Sequence, residues 1–543
     1  MARTSAGRAT RRAHLLRCLL GPLPAAYSEY AAVGPSSAPR IWTLLVALFR
    51  ARVGLHALGV SLIIGVVFAP SEGSAQAGDA NAGKAVYERK CAMCHGVKGD
   101  GKGAGAELLD PKPRDFTSGV YKIRTTANKT PSDQDLFRII TAGMPGTSMP
   151  PWDVLPEKER WNLVAYIKTF AADKFKEAPK KLELPKEVSS SEASIKRGKE
   201  MYEAIECHKC HGNLGRADGP SRPELKDDWG HPIAPANLTK RWTFRGGASR
   251  TEIATRIANG VLGTPMPSFI DSVEKPEDVW HLTNYILSLG PESPAYATLV
   301  TVNGTTDAIP DDPNAEFWKK AAPNTIPLMG QVIVDPRNFN PIIDLVIVRG
   351  AYNDKEIAFH LTWDDPSQTT AEGRADAPGA AKKIAADAIA LQFPSKIVPG
   401  TERPYFLMGD ATDSVYLLRW EGGKAGEVSA SGPTKLKTLE GGEVVSKTVY
   451  ENGQYRVVIK RPLAGKGEER PTFQPSTFVP VAFQAWDGGA GETGTRMSLT
   501  SWYYLRLEPP QSNRRFVVPP VVALLTLVAM LLVVRAASRG RGR

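Results

Sequence analysis

Two stretches of this chain have the residue types and spacing for covalent cofactor chemistry: Cys91-Ala92-Met93-Cys94-His95 and Cys207-His208-Lys209-Cys210-His211. In a C-x-x-C-H run, two thiols are placed to form thioethers to the vinyl groups of a haem while the histidine ligates its iron. The same run also serves as half of a structural zinc site or as a redox-active dithiol. Zinc needs a second ligand pair nearby, and a dithiol has no use for the histidine. Neither segment holds a companion cysteine pair, so the pattern predicts two covalent c-type haems, on Cys91, Cys94 and His95 and on Cys207, Cys210 and His211. Of the five cysteines only Cys18 lies outside the motifs, which leaves no thiols for a disulfide framework.

Each motif sits in a repeat. Residues 82–87 align with 197–202 ahead of the cysteines, and 139–150 align with 256–267 behind them. From His95 to Met149 is 54 residues, and from His211 to Met266 is 55. A thioether on the far side of the iron closes its sixth position, giving an electron carrier of raised potential with no room for substrate. Met149 and Met266 are the expected axial partners. Met144 competes with Met149, but Val261 stands at its place in the second copy, and core packing is its other reading. His208, His231 and His281 are expected to be ordinary surface or helix residues.

Helices must position these motifs. Residues 157–170 and 276–289 show an amphipathic helical period, with Trp161 and Tyr166 matching Trp280 and Tyr285. Small residues at Gly83 and Gly198 would let each closing helix cross an opening helix closely. On these motifs, residues 78–172 (domain 1) and 193–291 (domain 2) resemble class I cytochromes c, which implies two all-α domains. Residues 173–192, rich in Lys, Glu and Pro, read as a linker.

From residue 297 to 510 the pattern changes to short alternating runs at 342–348, 356–363, 388–393, 415–420, 455–460 and 479–486, separated by Gly, Pro, Asp and Asn. This predicts an all-β domain of two packed antiparallel sheets. The runs Val348-Arg349-Gly350-Ala351-Tyr352-Asn353-Asp354, Trp363-Asp364-Asp365-Pro366, Phe406-Leu407-Met408-Gly409-Asp410 and Ser501-Trp502-Tyr503-Tyr504-Leu505 resemble the haem-b-binding subunit of the ethylbenzene dehydrogenase family. The resemblance implies a β-sandwich that holds one haem b non-covalently between Met and commonly Lys. It also implies electron exchange with a molybdenum enzyme through that enzyme's iron–sulfur subunit. Met408 matches the axial methionine. Where the resemblance calls for Lys stands Arg496-Met497, and a guanidinium is protonated at any usable pH. Met497 or His360 could supply the second ligand, or the haem b has been lost. Core packing is the other reading of both methionines, and the tryptophans at 363, 420, 486 and 502 read as core.

The formal charge of +11 is confined to the ends: residues 1–77 carry +6 and residues 511–543 another +6, which leaves −1 for the rest. That distribution excludes a nucleic-acid surface and reports topology. The apolar run 53–70, after Arg50 and Arg52 and before Ala75-Gln76-Ala77, reads as an export signal, although the residues ahead of it are unlike one. Residues 516–534 are uncharged and long enough to span a bilayer, and Arg535, Arg539, Arg541 and Arg543 behind them mark the cytoplasmic side. The bulk is therefore expected on the periplasmic side of the inner membrane.

No catalytic nucleophile, acid–base pair or open metal site stands out. The expected function is a membrane-anchored multihaem electron-transfer subunit. It would connect a molybdenum oxidoreductase, acting on nitrite, nitrate or another small oxyanion, to soluble or membrane carriers of the respiratory chain. Two rivals remain: a dihaem shuttle tethered to a carbohydrate- or surface-binding sandwich without haem b, and a stand-alone shuttle to a terminal oxidase.

Overall fold

The computed structural model describes residues 78–339, 341–370, 373–374, 385–397, 403–510 and 514–540. The expected export signal, the N-terminal extension and Cys18 lie outside the described residues.

Each repeat is a small helical bundle. In the first, Ala80–Lys90 leads into the Cys91 motif, Asp133–Ala142 follows, and Glu157–Thr169 closes. The second runs Glu192–Ala204, Arg250–Asn259 and Asp278–Ser288 in the same order. The middle helices start on matching capping boxes, Ser132 with Asp135 and Ser249 with Glu252, in which side chain and backbone satisfy each other's end groups. Opening and closing helices cross at a glycine. A Cβ on Gly83 would run into the Asn162 carbonyl, and one on Gly198 into the His281 carbonyl. Tyr87 packs edge-on to Tyr166 at 5.3 Å, and Tyr202 to Tyr285 at 5.3 Å, at those crossings.

The segment read as a linker packs against both repeats. Leu182 N donates to Thr125 O, Trp280 Nε1 donates to Pro185 O, and Leu182, Leu184 and Val188 pack on the second repeat's core. Its lysines and glutamates point outward, while these alternate apolar residues supply the contact. The repeats also touch directly, through the Arg138–Glu252 ion pair (2.5 Å) and hydrogen bonds from Asn259 Nδ2 to the carbonyls of Arg124 and Thr126.

The β region is one continuous strand path that folds back on itself. Strand Phe478–Trp486 makes the turn, pairing through 478–481 with Tyr503–Glu508 and through 482–486 with Ala388–Pro394. The two halves face each other across one apolar core, where Phe359 meets Phe393 and Trp363 meets Trp420. Pairing is not purely antiparallel: Leu299–Gly304 lies parallel to both Tyr503–Glu508 and Leu345–Tyr352. Helix Arg514–Gly540 contains a stretch, Val517–Ala536, long and apolar enough to cross a membrane.

Candidate functional site: two thiol–histidine crevices and a buried methionine pair

In both repeats the motif forms a single helical turn, so that Cys and His four residues on share a face. His95 N donates to Cys91 O and His211 N to Cys207 O, each at 2.9 Å. The opening helix fixes the turn that follows: Tyr87 OH donates to Gly96 O at 2.8 Å and Tyr202 OH to Gly212 O at 2.7 Å.

The histidines are oriented for metal binding. His95 Nδ1 lies 3.0 Å from Arg114 O, and His211 Nδ1 lies 2.9 Å from Ala236 O. A carbonyl only accepts, so each Nδ1 carries the proton and each Nε2 keeps its lone pair. Burial holds both imidazoles below their ordinary pKa, in the neutral form a metal requires. The ring of Phe116 stacks on His95 at 4.6 Å.

A cavity of about 180 Å³ is lined by Cys91, Cys94, His95 and Met149. A larger one, of about 490 Å³, is lined by Cys207, Cys210, His211 and Met266. Matching loops deliver the methionines. Met144 N donates to Met149 O and Val261 N to Met266 O, both at 3.0 Å, while Thr147 and Thr264 hydroxyls cap the Met144 and Val261 carbonyls. Met144 and Val261 thus hold the same place in the loop. Met144 lines both cavities, whereas Met149 lines only the first.

The cavities share a wall. Pro111, Lys122, Ile123, Met144 and Arg245 border both. Burial draws Lys122 down to about 8 and lowers Arg245 as well, against the pull of Asp110 on both and of Asp227 on Lys122. Two half-buried cations at the shared wall also suit an anionic group in the adjoining cavity. The donor set therefore fits a haem in each crevice: two thiols, an imidazole Nε2, a thioether and nearby cations for its carboxylates. The second cavity also reaches the β region, being bordered by Ile342, Asp344, Asp364 and Pro366. Beside it Arg216 pairs with Asp364 at 3.4 Å, Asn237 Nδ2 donates to Asp364 at 3.0 Å, and Lys240 pairs with Asp344.

In the β region Met408 and Met497 share one buried apolar cluster with Leu407, Trp486 and Leu499. Their relative exposures are 1% and 0%, while Arg496 points out to solvent. Met408 takes a left-handed backbone (φ 60°), which the structure must hold against strain; its N–H donates to Gln392 Oε1, which also accepts from Gln484. Neither methionine borders the two cavities described above. His360 does not join them. It alternates away from the inter-sheet core on strand Glu356–Asp364, its Nε2 donates to Pro313 O at 3.0 Å, and its ring stacks on Trp318. The expectation that His360 could reach this site is thus corrected by strand alternation. Of the other histidines, His281 is a helix residue bonded through Nδ1 to Ser194, and His208 is half-buried, not fully on the surface.

Comparison with known proteins agrees with this partition. Residues 78–167 and 193–286 match the family described as cytochrome C oxidase, cbb3-type, subunit III, and residues 315–437 match the family described as ethylbenzene dehydrogenase. A Haloferax mediterranei protein named as a respiratory nitrate reductase heme subunit is 29% identical over 42% of this chain and 78% of its own. The dimethylsulfide dehydrogenase subunit gamma of Rhodovulum sulfidophilum is 26% identical over 37% of this chain and 76% of its own. Cytochrome c-554(547) of Halothiobacillus neapolitanus is 36% identical over 17% of this chain and 98% of its own. By these matches, and by the paired crevices they fall on, the chain belongs to the cytochrome c family through both helical repeats and carries an ethylbenzene dehydrogenase-type domain behind them.

Proposed function

We propose that this chain is a membrane-anchored multihaem subunit that relays electrons between a molybdenum oxidoreductase, of the nitrate or nitrite type, and the respiratory chain. The observation that carries this reading is the shared wall. The first crevice adjoins the second through Lys122, Met144 and Arg245, and the second adjoins the β region through Asp344 and Asp364. Relatives that are haem subunits of nitrate reductase and dimethylsulfide dehydrogenase favour this reading over a carbohydrate-binding sandwich.

In this reading Cys91, Cys94, His95 and Met149 would hold one c-type haem, and Cys207, Cys210, His211 and Met266 would hold another. Met408 and Met497 hold a third, b-type haem. Bound haem supplies a one-electron iron couple. The chain's own residues do the rest. His95 and His211 keep their lone pairs aimed by their backbone bonds, the methionines exclude substrate and water, and Lys122 and Arg245 neutralise haem carboxylates. The β region docks on the iron–sulfur subunit of the partner, and helix Val517–Ala536 anchors the body on the periplasmic face.

The test is gentle detergent extraction from native membranes. A molybdenum-containing subunit should co-purify, and pyridine haemochrome analysis should give c and b haem near two to one. A preparation with full c haem, no b haem and no molybdenum partner would overturn the proposal.

A further inference from the structure

Away from the crevices, three carboxylates converge at strand ends. Asp365 follows strand Glu356–Asp364, Asp387 precedes Ala388–Pro394, and Asp487 follows Phe478–Trp486. One oxygen of each lies within 4.8 Å of the others, and their exposures are 0%, 0% and 2%. Buried carboxylates normally meet cations or enough donors to compensate them. At Asp365 the donors stop short. Asp387 accepts from Tyr455 OH, Thr369 N and Gly488 N, Asp487 from Ala490 N, and Asp365 Oδ1 from Ser367 N. Among the described residues Asp365 Oδ2 has no hydrogen-bond partner.

A separate group points to a ligand. Thr369, 0% exposed, aims its hydroxyl at the same space, and among the described residues that hydroxyl also has no partner. A Cβ built on Gly489 would sit 2.4 Å from Ser367 Oγ, 3.1 Å from Asp487 Oδ1 and 3.3 Å from Thr369 Oγ1, so only a glycine fits where these oxygens gather. Among the described residues Arg222 of the second repeat is a cation whose field reaches Asp365. Burial and mutual repulsion push Asp365 well above the carboxylate range and Asp387 to about 7.

We propose that Asp365, Asp387, Asp487 and the Thr369 hydroxyl bind one calcium ion at the joint between the β region and the second cytochrome repeat. All the donors are oxygen, with neither imidazole nor thiolate, which selects a hard cation over zinc or copper. Calcium takes about six to eight oxygen ligands in flexible geometry, which suits carboxylates and a hydroxyl drawn from separate strand ends; magnesium demands a near-ideal octahedron and keeps its waters. The location gives the ion a task. Asp365 lies between Asp364, which pairs with Arg216, and Pro366, which borders the second crevice. An ion here would lock three strand ends where the sandwich meets that crevice.

The test uses the full-length protein in detergent. Metal analysis should find one calcium per chain beside the haem iron. Removal by EGTA should lower the melting temperature by about 5–10 °C, and calcium but not equimolar magnesium should restore it. Asp365→Asn and Thr369→Val should each abolish the calcium response while leaving c haem content unchanged. If a variant fails to fold, the chelation and rescue of the unmodified protein decide the matter alone. Absence of stoichiometric calcium with an unchanged melting temperature would overturn the site, as would Asp365→Asn keeping the full calcium response. Equal rescue by magnesium would overturn the assignment to calcium.

Discussion

His211 gives its Nδ1 proton to the carbonyl of Ala236 over 2.9 Å, which leaves Nε2 as the lone pair aimed into the second crevice. His95 and Arg114 repeat the relationship in the first. Imidazole alone does not set the character of such a site; the group across the iron does. The two loops that present Met149 and Met266 have the same hydrogen bonds, with Met144 at the place of Val261.

Met149→Ala should therefore open one of the two c sites, so that about half of the c-type haem binds carbon monoxide and its potential falls. Met144→Ala should leave carbon monoxide binding at the parent level. Optical titration of the reduced protein measures both, and an open site in the Met144 variant alone would reverse the assignment.

The glycine crossings predict a stability effect with a clear sign. Adding a methyl at Gly198 drives a Cβ into the His281 carbonyl, a backbone group that cannot rotate away. Gly198→Ala should destabilise the second repeat by about 3 kcal/mol through forced separation of the helices. Thermal unfolding followed at the haem band would report it. Ala204→Gly, near the end of the same helix and exposed, should cost about 1 kcal/mol at most.

Most of the crevice was legible because covalent attachment demands a fixed local motif and the duplication supplied an internal control. Closing helices expected at 157–170 and 276–289 are observed at Glu157–Thr169 and Asp278–Ser288. A second repeated signal was available and passed over: Pro113-Arg114-Asp115-Phe116-Thr117 and Pro235-Ala236-Asn237-Leu238-Thr239 are the loops that supply the histidine-binding carbonyls. In both, the Asp or Asn side chain accepts from the Thr two residues on. Strands Lys424–Ala430 and Val445–Glu451 were missed because one is rich in small residues and the other has mixed, largely exposed polarity. No local pattern announces Lys122 beside Arg245, 123 residues on, or Asp487 beside Asp365 and Asp387, 122 and 100 residues before it, since only the fold brings these segments together.

Met408 and Met497 lie 89 positions apart and meet in one buried cluster, which makes them the pair to test for the b-type site. Met408→Ala and Met497→Ala should each remove or shift the b-type absorbance while c haem stays at two per chain. Replacing either methionine in a merely apolar core would cost about 2–5 kcal/mol and leave the spectrum untouched. Haemochrome spectra of the two variants separate these outcomes.

His360, excluded from that pair, predicts a pH dependence instead. Burial, opposed by its bond to the Pro313 carbonyl and reinforced by Arg349 and Arg456 on the flanking strands, pulls its pKa down from 6.5 to about 4. The folded protein thus keeps a neutral imidazole where the unfolded chain takes up a proton. The stability it contributes is present above about pH 6.5 and is lost as pH falls towards 4. Between pH 7 and pH 5 the loss should be about 2 kcal/mol. His360→Gln, which can keep a donor towards the Pro313 carbonyl without a titrating charge, should flatten that part of the profile. Denaturant unfolding at the two pH values, read from tryptophan fluorescence including Trp318 against the His360 ring, measures the difference. An identical drop in the variant would assign the acid sensitivity to other groups.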